Sequence, residues 1–275
     1  MSALSAPWYD KPIAFLRKDF TVEKSYRLAF LSRISSIFLS VILFYYIARL
    51  LGKDATPYLA AYGGEYFPFV LVGIAFYRYF NAALAAYPGN VREGQVTGTL
   101  EAMLVTPTSP RAILIYSSLG NFVYATLEVG LYLLLGVLFF GLDVGEANLW
   151  SVLVVLSLTV LSFSPFGILS AAFILAFKRG DPIAYIFGAL SALLGGVYFP
   201  VALLPDALQI FSRLIPLTYG LRAMRHAVLS GSSISQLGVD LAVLAVLPII
   251  MIPLSLLVFD RALIRAKKEG TLLQH

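Results

Sequence analysis

Long apolar stretches separated by short polar breaks dominate the sequence. Each of six stretches holds about twenty or more mostly apolar residues, the length that an α-helix needs to cross the ~30 Å hydrocarbon core of a bilayer. They cover residues 29–50, 65–86, 112–141, 149–177, 182–204 and 239–259. None shows the alternation of apolar and polar positions that is typical of a transmembrane strand. The pattern therefore predicts an all-α membrane protein with six transmembrane helices.

Turn-forming and polar residues fill the breaks between these stretches. The breaks fall at 52–54, 88–90, 142–148, 178–181 and 205–238. Because every polar segment is short, we expect one membrane domain over residues 1–275. Its parts are a cytoplasmic amphipathic segment at 1–28, a six-span core at 29–259 and a cytoplasmic tail at 260–275. The polar residues ahead of the first span favour a retained anchor over a cleaved signal peptide.

Composition supports the membrane assignment and excludes several kinds of site. Hydrophobic residues make up 59% of the chain and charged residues 13%, which is more apolar material than one water-soluble core can bury. The chain has no cysteine, which excludes disulfides and thiolate metal sites, and only two histidines, His226 and His275. We therefore expect no metal centre and no cofactor bound by this chain.

The distribution of positive charge predicts the orientation. With the N-terminus in the cytoplasm, fourteen Lys and Arg residues fall on the cytoplasmic side and five on the outer side. Cytoplasmic loops of membrane proteins are enriched in these residues, so both termini are predicted to be cytoplasmic. The net charge of +5 then faces anionic lipid, and we expect no nucleic-acid partner. The predicted location is the cell's inner or plasma membrane.

The segment before the first span combines an apolar face with cations. Ile13, Leu16 and Phe20 share one helical face, with Lys11 and Arg17 beside it. This pattern predicts an amphipathic helix on the cytoplasmic leaflet. The alternative is an ordinary positively charged flank that sets topology.

The loop at 87–111 is the most distinctive cytoplasmic segment. Thr97 or Thr99 can cap a short helix, and Pro107 and Pro110 end it before the third span. A short helix held at the inner edge of the membrane suits docking into another protein. The spacing leaves equally open a loop helix that has no partner.

The segment at 205–230 is too interrupted to span the membrane. Pro205 and Pro216 break it, while Leu208, Phe211 and Leu214 still form an apolar face. We expect a segment that dips into the outer leaflet and returns. The alternative is an amphipathic external loop.

Polar residues within the spans are candidate functional groups, because a charge near the bilayer centre is costly. Arg78 and Asn121 are both predicted ~14 Å from the cytoplasmic end. Arg78 is expected to hydrogen-bond Asn121, to line the inner mouth of a pathway, or to extend to the headgroups. Glu128 is predicted ~24 Å from the cytoplasmic end, level with Tyr45 and Tyr198. We expect it to be a structural group, either bonded by tyrosine hydroxyls or protonated, rather than a proton carrier.

Two stretches resemble a known family. Residues 98–111 (GTLEAMLVTPTSPR) are similar to the "GTLE-x-LL-x-TP-x-SR" stretch of ABC type-2 permeases, the membrane subunits of ATP-driven exporters. Residues 195–205 (GGVYFPVALLP) and 216–225 (PLTYGLRAMR) resemble that family's "G-x-x-FP-x-x-x-LP … P-x-T-Y-x-L-x-x-x-R" signature. Both occur in order in a chain of the right length, and the resemblance covers residues 10–265.

The resemblance implies a fold and a set of site residues. It implies a homodimer or pseudo-dimer of six-helix subunits, with a coupling helix over residues 98–106 that sits in a cleft of a nucleotide-binding subunit. The implied coupling residues are Gly98, Thr99, Leu100, Glu101, Ala102, Met103 and Leu104, with Lys178, Arg179 and Asp181 as a second contact. The implied exit and re-entrant region holds Gly195, Gly196, Phe199, Pro200, Pro205, Pro216 and Tyr219.

The sequence contains no phosphate-binding G-x-x-x-x-G-K-[ST] loop, so ATP-driven transport needs a separate ATPase that binds ATP and Mg. We expect two ATPase subunits, a second, identical permease subunit and membrane lipid as partners, and no enzyme activity in this chain. The expected cargo is lipophilic, lipid-linked or a glycan. The alternative is an ion- or proton-coupled secondary transporter, for which only Arg78 and Glu128 are buried titratable candidates. An intramembrane hydrolase is disfavoured because His226 has no nearby acid.

Overall fold

The computed structural model describes residues 10–52, 56–177 and 181–269, and this part of the chain is helical without strands. The helices are α1 (Asp10–Ser25), α2 (Arg27–Leu51), α3 (Thr56–Leu59), α4 (Tyr66–Val96), α5 (Thr99–Leu104), α6 (Pro110–Phe140), α7 (Leu149–Phe177), α8 (Pro182–Leu194), α9 (Asp206–Leu214), α10 (Pro216–Leu229) and α11 (Gly238–Lys268). Within the described ranges, five of these are long and apolar enough to cross a membrane: α2, α4, α6, α7 and α11. The predicted all-α membrane fold is confirmed.

The predicted number of six transmembrane helices is not confirmed. The stretch predicted as the fifth span, 182–204, is α-helical only over the 13 residues of α8, and a single 3-10 turn follows at Val201–Leu203. At ~1.5 Å per residue, α8 is shorter than the bilayer core. The chain leaves the helix at Gly196, whose φ of +79° a side chain would strain, and Pro200 lies just beyond it. Apolar composition alone did not reveal this break.

The predicted break at 88–90 is wrong, because α4 continues through Pro88 to Val96. A proline inside a helix leaves the carbonyl four residues earlier without its N–H donor, here that of Leu84. Gly167 of α7 lies against this carbonyl, since a side-chain carbon on Gly167 would sit 2.9 Å from the Leu84 oxygen. The neighbouring Tyr87 hydroxyl bonds the Ser164 hydroxyl of α7 at 2.9 Å. Packing against α7 thus stabilises the helix through the proline.

The core of the bundle lies where α4 and α7 meet. Phe76, Phe80 and Phe163 are fully buried, and the rings of Phe80 and Phe163 meet edge to face at 4.6 Å. In the most apolar 18 residues of each helix, 72% of the residues of α4 are buried but only 11% of those of α2. The side chains of α2 therefore form much of the outer, lipid-facing surface, and α4 is the central helix.

The predicted N-terminal amphipathic helix is present as α1, and it packs on α6. Phe15 lies 6.1 Å from Tyr116 and Phe20 lies 5.2 Å from Tyr124, measured between ring centroids. Gly120 lets α1 approach closely, because a side-chain carbon there would meet the Asp19 carboxylate at 2.3 Å. α1 therefore rests directly on a membrane-spanning helix.

Candidate functional site

The short helix α5 forms a compact projection between the ends of α4 and α6, which we call the α5 knob (residues 98–106). Leu100 points inward and is buried, and Gly94 of α4 makes room for it, since a side-chain carbon on Gly94 would lie 3.1 Å from the Leu100 Cβ. Glu101, Ala102 and Val105 are exposed. The knob therefore has one face fixed to the bundle and one face open to a partner.

The predicted caps of this helix are wrong. The N-cap is Gly98, in the left-handed conformation with φ +71°, and no side chain in the described structure caps it. Thr97 instead bonds the Glu93 carbonyl at 2.8 Å and the Thr99 hydroxyl at 2.8 Å. A glycine can adopt this φ without strain, so it makes the sharp turn from α4 into α5 possible.

The coupling candidates Gly98, Thr99, Leu100, Glu101, Ala102, Met103 and Leu104 thus lie together in one knob. Lys178 and Arg179, predicted as a second contact, lie outside the described residues. Asp181 caps α8, where its carboxylate accepts from the Ala184 N–H at 3.0 Å and the Ser170 hydroxyl at 2.6 Å. These bonds give Asp181 a role in starting α8.

A polar cavity of about 690 Å³, bounded by α1, α2, α4 and α6, brings together three of the four intramembrane candidates. Arg78, Asn121 and Glu128 all line it. Arg78 bonds Glu128, at 3.5 Å, rather than Asn121. The fourth candidate, Tyr198, lies elsewhere.

Glu128 is held by guanidinium groups rather than by the expected tyrosine hydroxyls. One carboxylate oxygen lies 3.4 Å from Nε of Arg33 and the other lies 3.5 Å from Arg78. Arg33 also pairs with Glu23 of α1, at 3.2 Å. Sequence reasoning missed Arg33 and Glu23, although a cation just inside a predicted span is a signal that could have identified Arg33.

Tyr198 lies in the irregular segment after α8, near the start of α4. Its carbonyl accepts from the Tyr66 hydroxyl at 2.9 Å, and its ring stacks on Phe44 at 5.8 Å. Phe199 and Pro200 line an apolar pocket of about 310 Å³ beside it. The exit candidates around Gly195 and Gly196 therefore adjoin an aromatic pocket.

Arg225 of α10 fixes this segment from inside. It is buried and donates to the carbonyls of Phe69, Gly196 and Val197 at 3.1, 2.9 and 3.0 Å. Its guanidinium carbon lies 3.4 Å from the centroid of the Phe69 ring. Burial lowers the pKa of Arg225 to about 9, although Tyr62 and Tyr66 act to raise it. The side chain is therefore still a cation at neutral pH. Sequence reasoning had counted Arg225 only as an external positive charge and a motif position.

The segment predicted to be re-entrant forms two short helices, α9 and α10. Pro205 is the N-cap of α9 and Pro216 begins α10, so both prolines start helices. The Tyr219 hydroxyl bonds the Arg213 carbonyl at 2.8 Å. On the next turn of α10, Arg222 donates from Nε to both carboxylate oxygens of Asp240, at 3.0 Å each.

Comparison with known proteins agrees with this arrangement. The family model for the ABC-2 type transporter matches residues 14–229, which include the knob, the polar cavity and Arg225. A search of curated proteins found no significant match. The family match covers well over half of the chain. The protein therefore belongs to the ABC-2 type transporter family, and it is the membrane-spanning permease component of an ABC transporter.

Proposed function

We propose that this chain is the permease subunit of an ATP-driven exporter, which forms the translocation path as a dimer with a second, identical copy. Two separate ATPase subunits bind ATP and Mg and drive it. The observation that carries this proposal is the α5 knob, which is fixed to the bundle by Leu100 and presents Glu101 outward. Together with the family match, this is the surface on which an ATPase acts.

The attachment of α5 to long helices supports a mechanical role. The side-chain amide of Asn90 on α4 donates to the Ser117 carbonyl of α6 at 2.8 Å. Arg111 on α6 donates from Nε to the Asp260 carboxylate of α11 at 2.8 Å. Leu100 of α5 packs in one apolar cluster with residues of α4, α6 and α11, namely Val91, Leu114 and Leu263. We infer that a displacement of α5 moves these three helices.

The distribution of cations supports the orientation. The last turns of α11, at the end of the bundle where α5 lies, carry Arg261, Arg265, Lys267 and Lys268. We place this end and both termini in the cytoplasm, with the chain in the inner or plasma membrane. The α9–α10 segment then lies on the outer side, as a re-entrant pair beside the exit.

The exposed surface of α8 supports the dimer. Tyr185, Ile186 and Leu193 are each more than half exposed on this short helix. Large exposed apolar patches mark contacts with lipid or with another protein. A second copy packed along α8 would cover these side chains.

The pockets support the cargo class. The pocket near Tyr198 is lined almost wholly by apolar and aromatic groups, which suits a lipophilic, lipid-linked or glycan cargo. Lys178 and Arg179, which precede α8 in the sequence, remain our candidates for a second ATPase contact.

The test is reconstitution of the chain in vesicles with and without a soluble ABC ATPase that copurifies with it. We expect stimulated ATP hydrolysis and ATP-dependent export in the complex, and no uphill transport by the chain alone. Uphill transport by the lone chain, driven by a proton or sodium gradient, would contradict the proposal and establish a secondary transporter.

A further inference from the structure

One carboxylate oxygen and one hydroxyl in the polar cavity, Oδ2 of Asp19 and the Tyr124 hydroxyl, are shielded from solvent yet lack hydrogen-bond partners among the described residues. Of the residues that the structure describes, four acidic and three basic side chains line the cavity, and its volume of about 690 Å³ is within the range of small-ligand sites. The other oxygen of Asp19 pairs with Lys18 at 3.0 Å, and Oε1 of Glu23 pairs with Arg33 at 3.2 Å. Buried oxygens of this kind are normally satisfied. An N–H donor from a ligand would satisfy the unpaired oxygens of Asp19 and Tyr124, since no described residue does so.

The same cavity also has spare N–H donors. A guanidinium has five N–H groups, and Arg78 makes one long contact to Glu128, at 3.5 Å. The Arg78 side chain is 43% exposed, so its remaining N–H groups are accessible from the cavity. Arg33 shares the same carboxylate. Spare guanidinium donors favour phosphate, which they recognise through paired hydrogen bonds.

We propose that this cavity binds a headgroup that carries a primary ammonium and a phosphate, the chemistry of phosphoethanolamine. The ammonium donates to Asp19 and Tyr124, and the phosphate accepts from Arg78. A quaternary ammonium has no N–H groups and is usually recognised by an aromatic cage. The lining contains two aromatic residues, Tyr77 and Tyr124, among its acids and amides. The primary amine therefore fits this lining better.

The surroundings of the cavity accommodate acyl chains. Val22 lines the cavity and is also exposed on the outer surface of α1. Leu28, Leu31 and Leu39 of the adjoining α2 are each more than half exposed. A headgroup in the cavity can therefore have its chains on the apolar surface of α2. This inference rests on the proposed function, because such a lipid belongs to the lipophilic class of cargo proposed above.

The experiment measures binding to the full-length chain, purified in detergent without an ATPase. The probes are dioctanoyl-phosphatidylethanolamine, -phosphatidylcholine and -phosphatidylglycerol, together with soluble O-phosphoethanolamine, titrated by native mass spectrometry and calorimetry. We expect the ethanolamine lipid to bind roughly tenfold more tightly than either other lipid. Binding of soluble O-phosphoethanolamine with the same affinity would identify a free metabolite rather than a lipid as the source of the headgroup.

Two variants connect that binding to the cavity. Tyr124→Phe removes a hydroxyl that has no partner in the described ranges, so it should leave thermal stability unchanged and weaken binding of the ethanolamine lipid several-fold. Asp19→Asn should weaken it more strongly, because it also removes charge. Glu146→Gln, on the exposed loop before α7, is the matched control and should bind as the parent does.

Equal affinity for the three lipids, or unchanged binding in both Tyr124→Phe and Asp19→Asn, would overturn the inference. Because no ATPase is present, such a failure leaves the proposed coupling intact. Conversely, a chain that binds the lipid but fails to stimulate any ATPase would contradict the proposed function alone.

Discussion

The Ser162 hydroxyl of α7 donates a hydrogen bond to the Leu244 carbonyl of α11. Leu244 lies four residues before Pro248, which lies inside α11 and has no N–H for that carbonyl. The serine replaces the missing helical donor. A hydroxyl from one spanning helix thus satisfies the defect that a proline creates in another.

We expect Ser162→Ala to lower the free energy of unfolding by about 1–3 kcal/mol, because it leaves a buried carbonyl unsatisfied. In a Pro248→Ala background the restored N–H takes over, and the cost of Ser162→Ala should largely disappear. Thermal unfolding of the four proteins in detergent measures this double-mutant cycle. Ser157→Ala, on an exposed part of α7, is the control. Additive effects would show that the two residues are independent.

Glu101→Arg should dissociate or uncouple the ATPase while the permease remains folded and inserted. Glu101 is exposed on the α5 knob, so the change reverses a charge without disturbing packing. Copurification and ATPase turnover measure the effect, with Glu146→Arg on the opposite end of the bundle as control. Unchanged association and transport in Glu101→Arg would remove this residue from the contact.

Gly98→Ala should weaken coupling through the geometry of the knob. A non-glycine residue at φ +71° costs about 1 kcal/mol, so α5 would tilt or fray. We expect reduced stimulation of the ATPase with little change in the melting temperature of the whole chain. Gly89→Ala, where a side-chain carbon meets nothing within 4 Å, is the matched control. Equal stimulation by both variants would contradict this role of Gly98.

Arg225→Met should destabilise the protein by about 3 kcal/mol or more, because three buried carbonyls lose their donor together. Arg225→Lys should recover part of the loss, since an ammonium keeps the charge but not the planar fork. Thermal unfolding measures both, and Arg213→Lys on the exposed face of α9 is the control. A melting temperature in Arg225→Met equal to that of the parent would show that the segment after α8 is held by other contacts.

Acidification should destabilise the outer helices through His226. Burial lowers the pKa of His226, Asp240 opposes this, and Arg222 and Arg225 add to it. The folded protein therefore disfavours the protonated ring, whereas the unfolded chain binds a proton near its ordinary pKa of about 6.5. The neutral ring therefore contributes stability above the pKa of the unfolded chain. This contribution is lost as the pH falls from that value toward the lower pKa of His226 in the folded protein.

His226→Phe keeps an aromatic ring beside Tyr62, which lies 5.4 Å from the His226 ring, but cannot titrate. The melting temperature of the parent should therefore fall more steeply than that of His226→Phe between about pH 7 and about pH 5. Other titrating groups are shared and cancel in the difference. Parallel curves would show that the histidine does not contribute.

The parts of the fold that depend on local sequence were predictable. Hydropathy and length are properties of continuous segments, so α2, α4, α6, α7 and α11 followed from the apolar stretches. The α5 helix followed from the spacing of Gly98 and Pro107, although its cap did not. The backbone of Gly98 makes the turn that a threonine side chain was expected to make.

The arrangement around Glu128 could not be predicted in the same way. The predicted depth of Arg78 takes the end of the second apolar stretch, at Tyr87, as the cytoplasmic end of the helix, but α4 extends to Val96. Arg33, Arg78 and Glu128 lie on three helices and meet only once these pack together. The break after α8 likewise depends on a distant residue, Arg225, which binds the carbonyls of the unwound segment.

The single helix α6 connects the two proposed binding events. It begins at Pro110, close to α5, and passes the polar cavity at Tyr124 and Glu128. Thermodynamic linkage between two binding sites is reciprocal. If a bound headgroup changes the affinity for the ATPase by some factor, the bound ATPase must change the affinity for the headgroup by the same factor. The change in lipid affinity on attachment of the ATPase, and the change in ATPase affinity on binding of the lipid, would then both report the same coupling free energy.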